Sequence, residues 1–279
     1  MPRALILSSH VAGSRVGGSA QGLALAPFGI DGLLVPTVLY GRHPGWGPPG
    51  GGKVAADTLQ GMVDGLAANG LLAELDLILT GYFADPDQVA VAARAIDAAR
   101  AAGGTAPIVI VDPTLGDDGK GLYVAEAVAQ AIQAQLIPRA DLVACNAWEL
   151  AYLTCLPTGD PEAAVAAALA LAKPTLVSSV YRGSEIGVVY ADGARAWLAL
   201  HAARPNVPNG TGDLLTALFA ASIVDGQTVP DGLARAVGGV FETVKAAKAG
   251  PDLPIVAMGV RIRRASPAVR VERLPQVIP

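Results

Sequence analysis

The chain has 279 residues, 52% of them hydrophobic and 16% charged, with a formal net charge of -4. That length suits one large α/β domain, taken here as residues 1–279, and the composition supplies a sizeable core. No Lys/Arg run gives a basic footprint for nucleic acid, and no stretch of about 18 apolar residues is there to span a membrane. The opening Met1–Leu7 is too short an apolar segment for a secretory leader and has no cleavage pattern after it. Cys145 and Cys155 form no Cys-x-x-Cys, which points to reduced thiols and a cytoplasmic location.

Taken in order, Ala4–Leu7 is a continuous apolar run that fits a strand buried on both faces, with Ser9, His10 and Val11 where it ends. A helix is predicted from Gly17 or Gly18 to Phe28, stopped by Gly29, and a second strand over Asp31–Tyr40. Gly41–Gly52, with His43, Pro44 and Trp46, reads as a long glycine-proline loop, the kind that often covers a site. Lys53–Ala68 is helical by spacing and ends at Asn69-Gly70; Leu75–Thr80 is a strand with Gly81-Tyr82 at its tip. Asp85-Pro86 opens a helix that ends near Gly103-Gly104, and Pro107–Val111 is a strand followed by Asp112-Pro113. Helices are predicted over Leu122–Gln135, after Asn146 and over Pro161–Ala172, with a short strand at Leu142–Ala144. Thr175–Ser179, Gly187–Tyr190 and Ala196–Leu200 read as an antiparallel edge. Helices at Leu214 onward and Leu233–Ala249, and a last strand from Val269, complete the chain. Strands alternating with helices argue for a three-layer α/β/α sandwich with a mainly parallel sheet.

In such sheets ligands gather at the carboxyl ends of the strands, which groups Ser9, His10, Tyr82, Asp112, Asn146, Glu149 and Asp213. Pro208-Asn209-Gly210-Thr211-Gly212-Asp213 runs into an apolar helix. Its unpaired backbone N–H groups favour negative charge, and its glycines let an anion approach. This arrangement suits a phosphoryl group in transfer, with Asp213 placed to accept the proton of an attacking alcohol. A plain glycine turn with Asp213 as helix cap is the competing reading. Asn146 and Glu149 lie about one helical turn apart, and they, Asp112 and Asp117 offer hard oxygen ligands suited to Mg²⁺. Asn146 with Glu149 also spells a capping box, and Asp112-Pro113 a turn. No Gly-x-x-x-x-Gly-Lys-Ser/Thr or Gly-x-Ser-x-Gly occurs, and Gly13, Gly17 and Gly18 after the first strand do not make a Gly-x-Gly-x-x-Gly.

Five segments in order resemble the pyridoxal kinases of the ribokinase-like superfamily, over roughly Leu5–Ala249. They are Ser8-Ser9-His10-Val11 with Gly18 and Ala20 beyond, Thr80-Gly81-Tyr82, Asp112-Pro113-x-Leu115-Gly116-Asp117, Asn146-x-x-Glu149 and Val207–Asp213. The resemblance implies ATP-dependent phosphorylation of the 5′-hydroxymethyl group of pyridoxal, with pyridoxine and pyridoxamine as further substrates. It implies Asp213 as base and the Gly210-Thr211-Gly212 amides as anion hole. Ser9, Val16, His43, Tyr82 and Asp213 would meet the pyridine substrate. Asp112, Asp117, Asn146, Glu149, Ser178 and Ser179 would lie around the nucleotide, Asp112 and Glu149 nearest the metal. It further implies Mg²⁺ with ATP, stimulation by K⁺, a homodimer, and a small edge flap on the sandwich.

Two positions depart from the family pattern. Pro44 follows His43 where relatives carry threonine, and Ala144 stands two residues before Asn146 where relatives often place threonine. Both changes remove a hydroxyl, one at the flap and one near the nucleotide. The alternatives are a hydroxymethylpyrimidine kinase, whose members tend to have cysteine at the position of Asp213, a sugar kinase, and a pyridoxal-sequestering protein without turnover.

Overall fold

A computed structural model describes residues 1–247 and 252–275. The apolar runs form strands β1 (Arg3–Val11), β4 (Leu77–Thr80), β5 (Ile108–Val111) and β8 (Leu142–Asn146), which are buried almost throughout. With β2 (Asp31–Tyr40) and β9 (Thr175–Arg182) they make the parallel centre of a ten-stranded sheet. Its order is β12-β11-β10-β9-β8-β5-β4-β1-β2-β3. Antiparallel strands β10 (Glu185–Ala191), β11 (Ala196–Ala202) and β12 (Arg270–Leu274) extend one side. The other side ends in β3 (Gly51–Lys53), antiparallel to β2. A separate two-stranded hairpin joins β6 (Gly116–Asp117) to β7 (Gly121–Leu122).

Because strands with continuous apolar sequence are hydrophobic on both faces, each face needs its own helical layer. One layer holds α2 (Ala56–Ala68), α3 (Pro86–Ala101), α4 (Glu126–Ala131), α5 (Ala147–Thr154) and α6 (Pro161–Ala170), packed on Leu5, Leu7, Ile78, Val109 and Val111. The other holds α1 (Gly17–Leu25), α7 (Thr211–Val224), α8 (Val229–Ala246) and α9 (Ile255–Met258), packed on Ala4, Ile6, Leu77, Leu79 and Ile110. The three-layer α/β/α sandwich read from the sequence is therefore the observed architecture. Helix α7 is buried all round from Leu214 to Ser222, lying against α1 and α8 as well as the sheet.

Several boundaries differ from the sequence reading, each for a local reason. Lys53 belongs to β3, and the following helix starts only at Ala56, so the Gly41–Gly52 loop is a flap stapled by a short strand. Leu122 lies in the β6–β7 hairpin; the helix expected there begins at Glu126 and passes into a π-helical turn at Ile132–Leu136. Thr228 caps α8, whose start is Val229 rather than Leu233; the expected end at Lys248–Ala249 lies outside the described residues. The antiparallel edge gains β12 as a fourth member.

Chain order reverses across the sheet between β1 and β4, since β1 is followed by β2 on one side and β4 lies on the other. Such a switch point leaves a crevice at the strands' carboxyl ends. Ser9 and His10 from β1 and Gly81-Tyr82 after β4 border it.

Candidate active site

Helix α7 begins at the carboxyl side of the sheet with Gly210 as its N-cap, at φ 93°. A side chain there would meet the Arg15 carbonyl oxygen at 2.2 Å and Val16 Cγ1 at 3.3 Å, so only glycine lets this turn pack against the loop before α1. Gly212 is different: nothing lies within 4 Å of where its side chain would stand. The N–H groups of this first turn have no acceptor within the helix, and the dipole adds positive potential. The open face of Gly212 beside them leaves room for an anionic group to approach.

Asp213 sits in the same turn, with the backbone N–H of Gly17 near enough to favour its charged form. Gly17 has φ 57° and packs on Ser9, whose Oγ would lie 2.0 Å from a side chain at that position. One glycine thus joins the start of α1, the end of β1 and the acid of α7. Burial, and then the charge of Asp112, push Asp213 up to about 7. A carboxylate that titrates there is matched to taking a proton from an alcohol at neutral pH.

Asp112 follows β5. Its Oδ1 accepts the Thr114 backbone N–H at 3.1 Å and the Thr114 hydroxyl at 2.8 Å. Its Oδ2 accepts the Thr216 hydroxyl of α7 at 3.3 Å. Thr114 is held at φ 44°, a conformation costly for a β-branched residue and fixed here by Asp112. Asp112 stands electrostatically between Asp213 and Glu149, raising both, and burial raises all three carboxyls. Such a group, in which the charge of Asp112 disfavours that of its two neighbours, suits a cation.

Glu149, expected near the metal, is bound on both carboxylate oxygens by backbone N–H groups. Its Oε2 accepts the Asn146 backbone N–H at 2.9 Å while Asn146 Oδ1 accepts from the Glu149 backbone at 2.8 Å, a complete capping box. Its Oε1 accepts the backbone N–H of Leu115 at 2.7 Å and of Gly116 at 3.4 Å, and Asn146 Nδ2 donates to the Gly116 carbonyl at 2.8 Å. Coordination of a cation by either oxygen would compete with those bonds. Glu149 thus anchors the β6–β7 hairpin. Among the described residues, no group of three or more His, Cys, Asp or Glu side chains is poised around one metal position.

The hairpin carries Asp117, whose Oδ2 pairs with Lys120 at 3.1 Å. Lys120 is close enough to His43 of the flap to lower the histidine's pKa, after the larger effect of burial. His43 Nδ1 accepts the Gly45 backbone N–H at 3.0 Å, leaving Nε2 to carry the proton of the neutral ring. The His43 ring lies 5.5 Å from that of Trp46. Ser178 pairs in register with Asn146, and Ser178-Ser179 form a β-bulge with Ser179 at φ 61°. Of the two departures, Pro44 opens a 3-10 turn in the flap, and Ala144 is buried in the core facing the α7 layer.

The structure thus groups the expected residues into two halves. Ser9, Val16, His43 and Tyr82 lie on the β1, β2 and β4 side, and Asp112, Asp117, Asn146, Glu149 and Ser178-Ser179 on the β5, β8 and β9 side; Asp213 and Gly210–Gly212 come between them on α7. Sequence reasoning missed Gly17, Thr114, Thr216 and Lys120. Thr216 was legible as the residue three after Asp213 on one helical face; the task of Gly17 depends on a contact across 196 positions and has no local signal.

A family model described as phosphomethylpyrimidine kinase matches residues 67–252. A pyridoxal kinase from Corynebacterium diphtheriae is 30% identical over 249 residues, covering 86% of this chain and 88% of that protein. One from Leifsonia xyli is 31% identical over 246 residues, covering 85% and 87%. A solved pyridoxal kinase from Leishmania donovani, in complex with ADP and pyridoxamine, superimposes with a TM-score of 0.92 at 24% identity, covering 99% of this chain and all of that one. The fold and the helix-start anion cradle define a phosphotransferase of the ribokinase-like class. Within it, the chain belongs to the pyridoxal kinase family.

Proposed function

We propose that this kinase transfers the γ-phosphoryl group of ATP to the 5′-hydroxymethyl group of pyridoxal. The observation that carries the reading is Asp213, in the first turn of α7 beside the open Gly212 face. Asp213 removes the alcohol proton, and the Thr211 and Gly212 amides meet the charge of the group in transfer. Most of the remaining work is positioning, since this transfer needs aligned oxygens rather than covalent help. Ser9, Val16, Tyr82 and His43 enclose the ring, with His43 Nε2–H available as a donor.

The nucleotide falls to the β5, β8 and β9 side, against the hairpin of Asp117 and Lys120, Asn146 and the Ser178-Ser179 bulge. Mg²⁺ carried by the phosphates neutralises their charge when bound. Asp112 would hold it, with Glu149 one water away, and both supply the hard oxygens it favours. A K⁺ requirement, a homodimer and a cytoplasmic location go with this reading; Cys145 and Cys155 are both free thiols, as that compartment requires.

The test is a Mg-ATP assay run in parallel on pyridoxal, pyridoxine and hydroxymethylpyrimidine, with and without KCl. Phosphorylated pyridoxal is the expected product. The matched family model makes hydroxymethylpyrimidine kinase the second reading, and product from that alcohol alone would establish it. Binding of pyridoxal with no product from any acceptor would leave a sequestering protein. Sedimentation velocity reads the oligomeric state.

A further inference from the structure

We infer that Gln88 and Thr37 are positioning residues for the acceptor half of the site: one buried amide and one buried hydroxyl hold the Tyr82 loop, the kink in β2 and the base of the flap in one register. The inference rests on the acceptor pocket being the one described above. Gln88 lies in the first turn of α3 and is 0% exposed. Its Nε2 donates to the Thr37 carbonyl at 2.8 Å and to the Val54 carbonyl at 2.6 Å, while its Oε1 accepts the Ala84 N–H at 2.9 Å. Thr37, also 0% exposed, donates its hydroxyl to the Tyr82 carbonyl at 2.6 Å.

These partners are not arbitrary stretches of backbone. In the β1–β2 pairing Ser8 faces Pro36 and His10 faces Leu39, so Thr37 and Val38 together oppose the single residue Ser9. An extra residue of this kind bends its strand and re-aims side chains. Val54 follows β3, which closes the flap bearing His43, and its N–H donates to the same Thr37 carbonyl at 2.9 Å. Ala84 and Tyr82 belong to the irregular segment between β4 and α3. Three walls of the acceptor pocket, at Ser9, Tyr82 and His43, therefore converge on one amide.

The neighbours of Gln88 on α3 show what packing alone asks for. Val89, Ala92, Ala95 and Ile96 are apolar and buried. An apolar residue at position 88 would pack equally well but leave the Val54 carbonyl and the Ala84 N–H without their partner and the Thr37 carbonyl with one donor instead of two, each costly in a dry interior. Glutamine supplies two donors and one acceptor from a single side chain of the needed length.

The test is Thr37→Val, which keeps shape and removes the hydroxyl, beside Thr37→Ser, which keeps the hydroxyl. Thr37→Val should raise KM for pyridoxal about 3- to 10-fold, the effect of one lost hydrogen bond, and leave KM for ATP alone. Thr37→Ser should behave like the parent. Gln88→Met should show the same split more strongly, provided it folds; Thr37→Val decides if it does not. Parental values of both KM in Thr37→Val, or equal rises in both with a lowered unfolding midpoint, would overturn the inference. If the parent protein does not turn over pyridoxal, the acceptor reading itself fails. Hydrogen exchange at residues 81–85 then decides: faster exchange in Thr37→Val supports the hold on the loop, and parental exchange removes it.

Discussion

At the scale of single residues, the two glycines of the anion loop separate folding from function. Gly210 is required by the fold: it stands at φ 93° with the Arg15 carbonyl against it. Gly210→Ala should destabilise the protein by about 2 kcal/mol or more from left-handed strain and contact, read by denaturant unfolding. Gly212 faces open space, so Gly212→Val should keep the unfolding midpoint while abolishing turnover, because the side chain occupies the place of the anion. Activity retained in Gly212→Val would move the anion hole elsewhere. Asp213→Asn should fold and lose about 10²–10⁴-fold in kcat, the usual cost of a removed base. Because Asp213 is pushed up to about 7 and works deprotonated, kcat/KM for the acceptor should climb with pH and level off above that value. A profile flat from pH 5 to 8 would remove Asp213 from the proton transfer.

At the scale of elements, the α5 start and the β6–β7 hairpin form one unit through Glu149. Glu149→Ala leaves the N–H groups of Asn146, Leu115 and Gly116 without their acceptor, at a cost of about 1–3 kcal/mol for buried groups. KM for ATP should rise more than KM for pyridoxal, since Glu149 ties the hairpin to the start of α5 on the nucleotide side while only Lys120 reaches toward His43; steady-state kinetics against each substrate checks it. Much of this was legible in the sequence. Asn146-x-x-Glu149 spells its own cap, and the runs Ala4–Leu7 and Ile108–Val111 announce buried parallel strands. The flap was less legible because Gly51–Lys53 is a strand only by pairing with Val38–Tyr40, and three residues carry no period of their own. The start of α4 was misplaced for the same reason: Gly121-Leu122 pairs with Gly116-Asp117, which no local pattern signals. The two carbonyl partners of Gln88, 51 and 34 positions away, are likewise tertiary.

For the whole molecule, two buried carboxyls and a half-buried third set how stability follows pH. Asp112, Glu149 and Asp213 are all raised, chiefly by burial. The native state therefore holds protons that the unfolded chain, titrating near pH ~4, has already released. Their stabilising contribution is complete in acid and is lost as pH rises through the shifted values. The ligand-free protein should melt lower at pH 8 than at pH 5.5, and Asp112→Asn should flatten that slope by removing the charge felt by both others. Calorimetry that finds the slope unchanged in the variant would detach Asp112 from its neighbours. The sheet that brings these acids together also keeps the two halves of the site on different strands, with α7 locked between them from Leu214 to Ser222. The phosphate end is written in main-chain amides, which side-chain replacement does not erase. The ring end is written in side chains on the strand ends and the flap, each open to exchange. A lineage built this way can drift toward a new alcohol one contact at a time while inheriting its transfer chemistry intact.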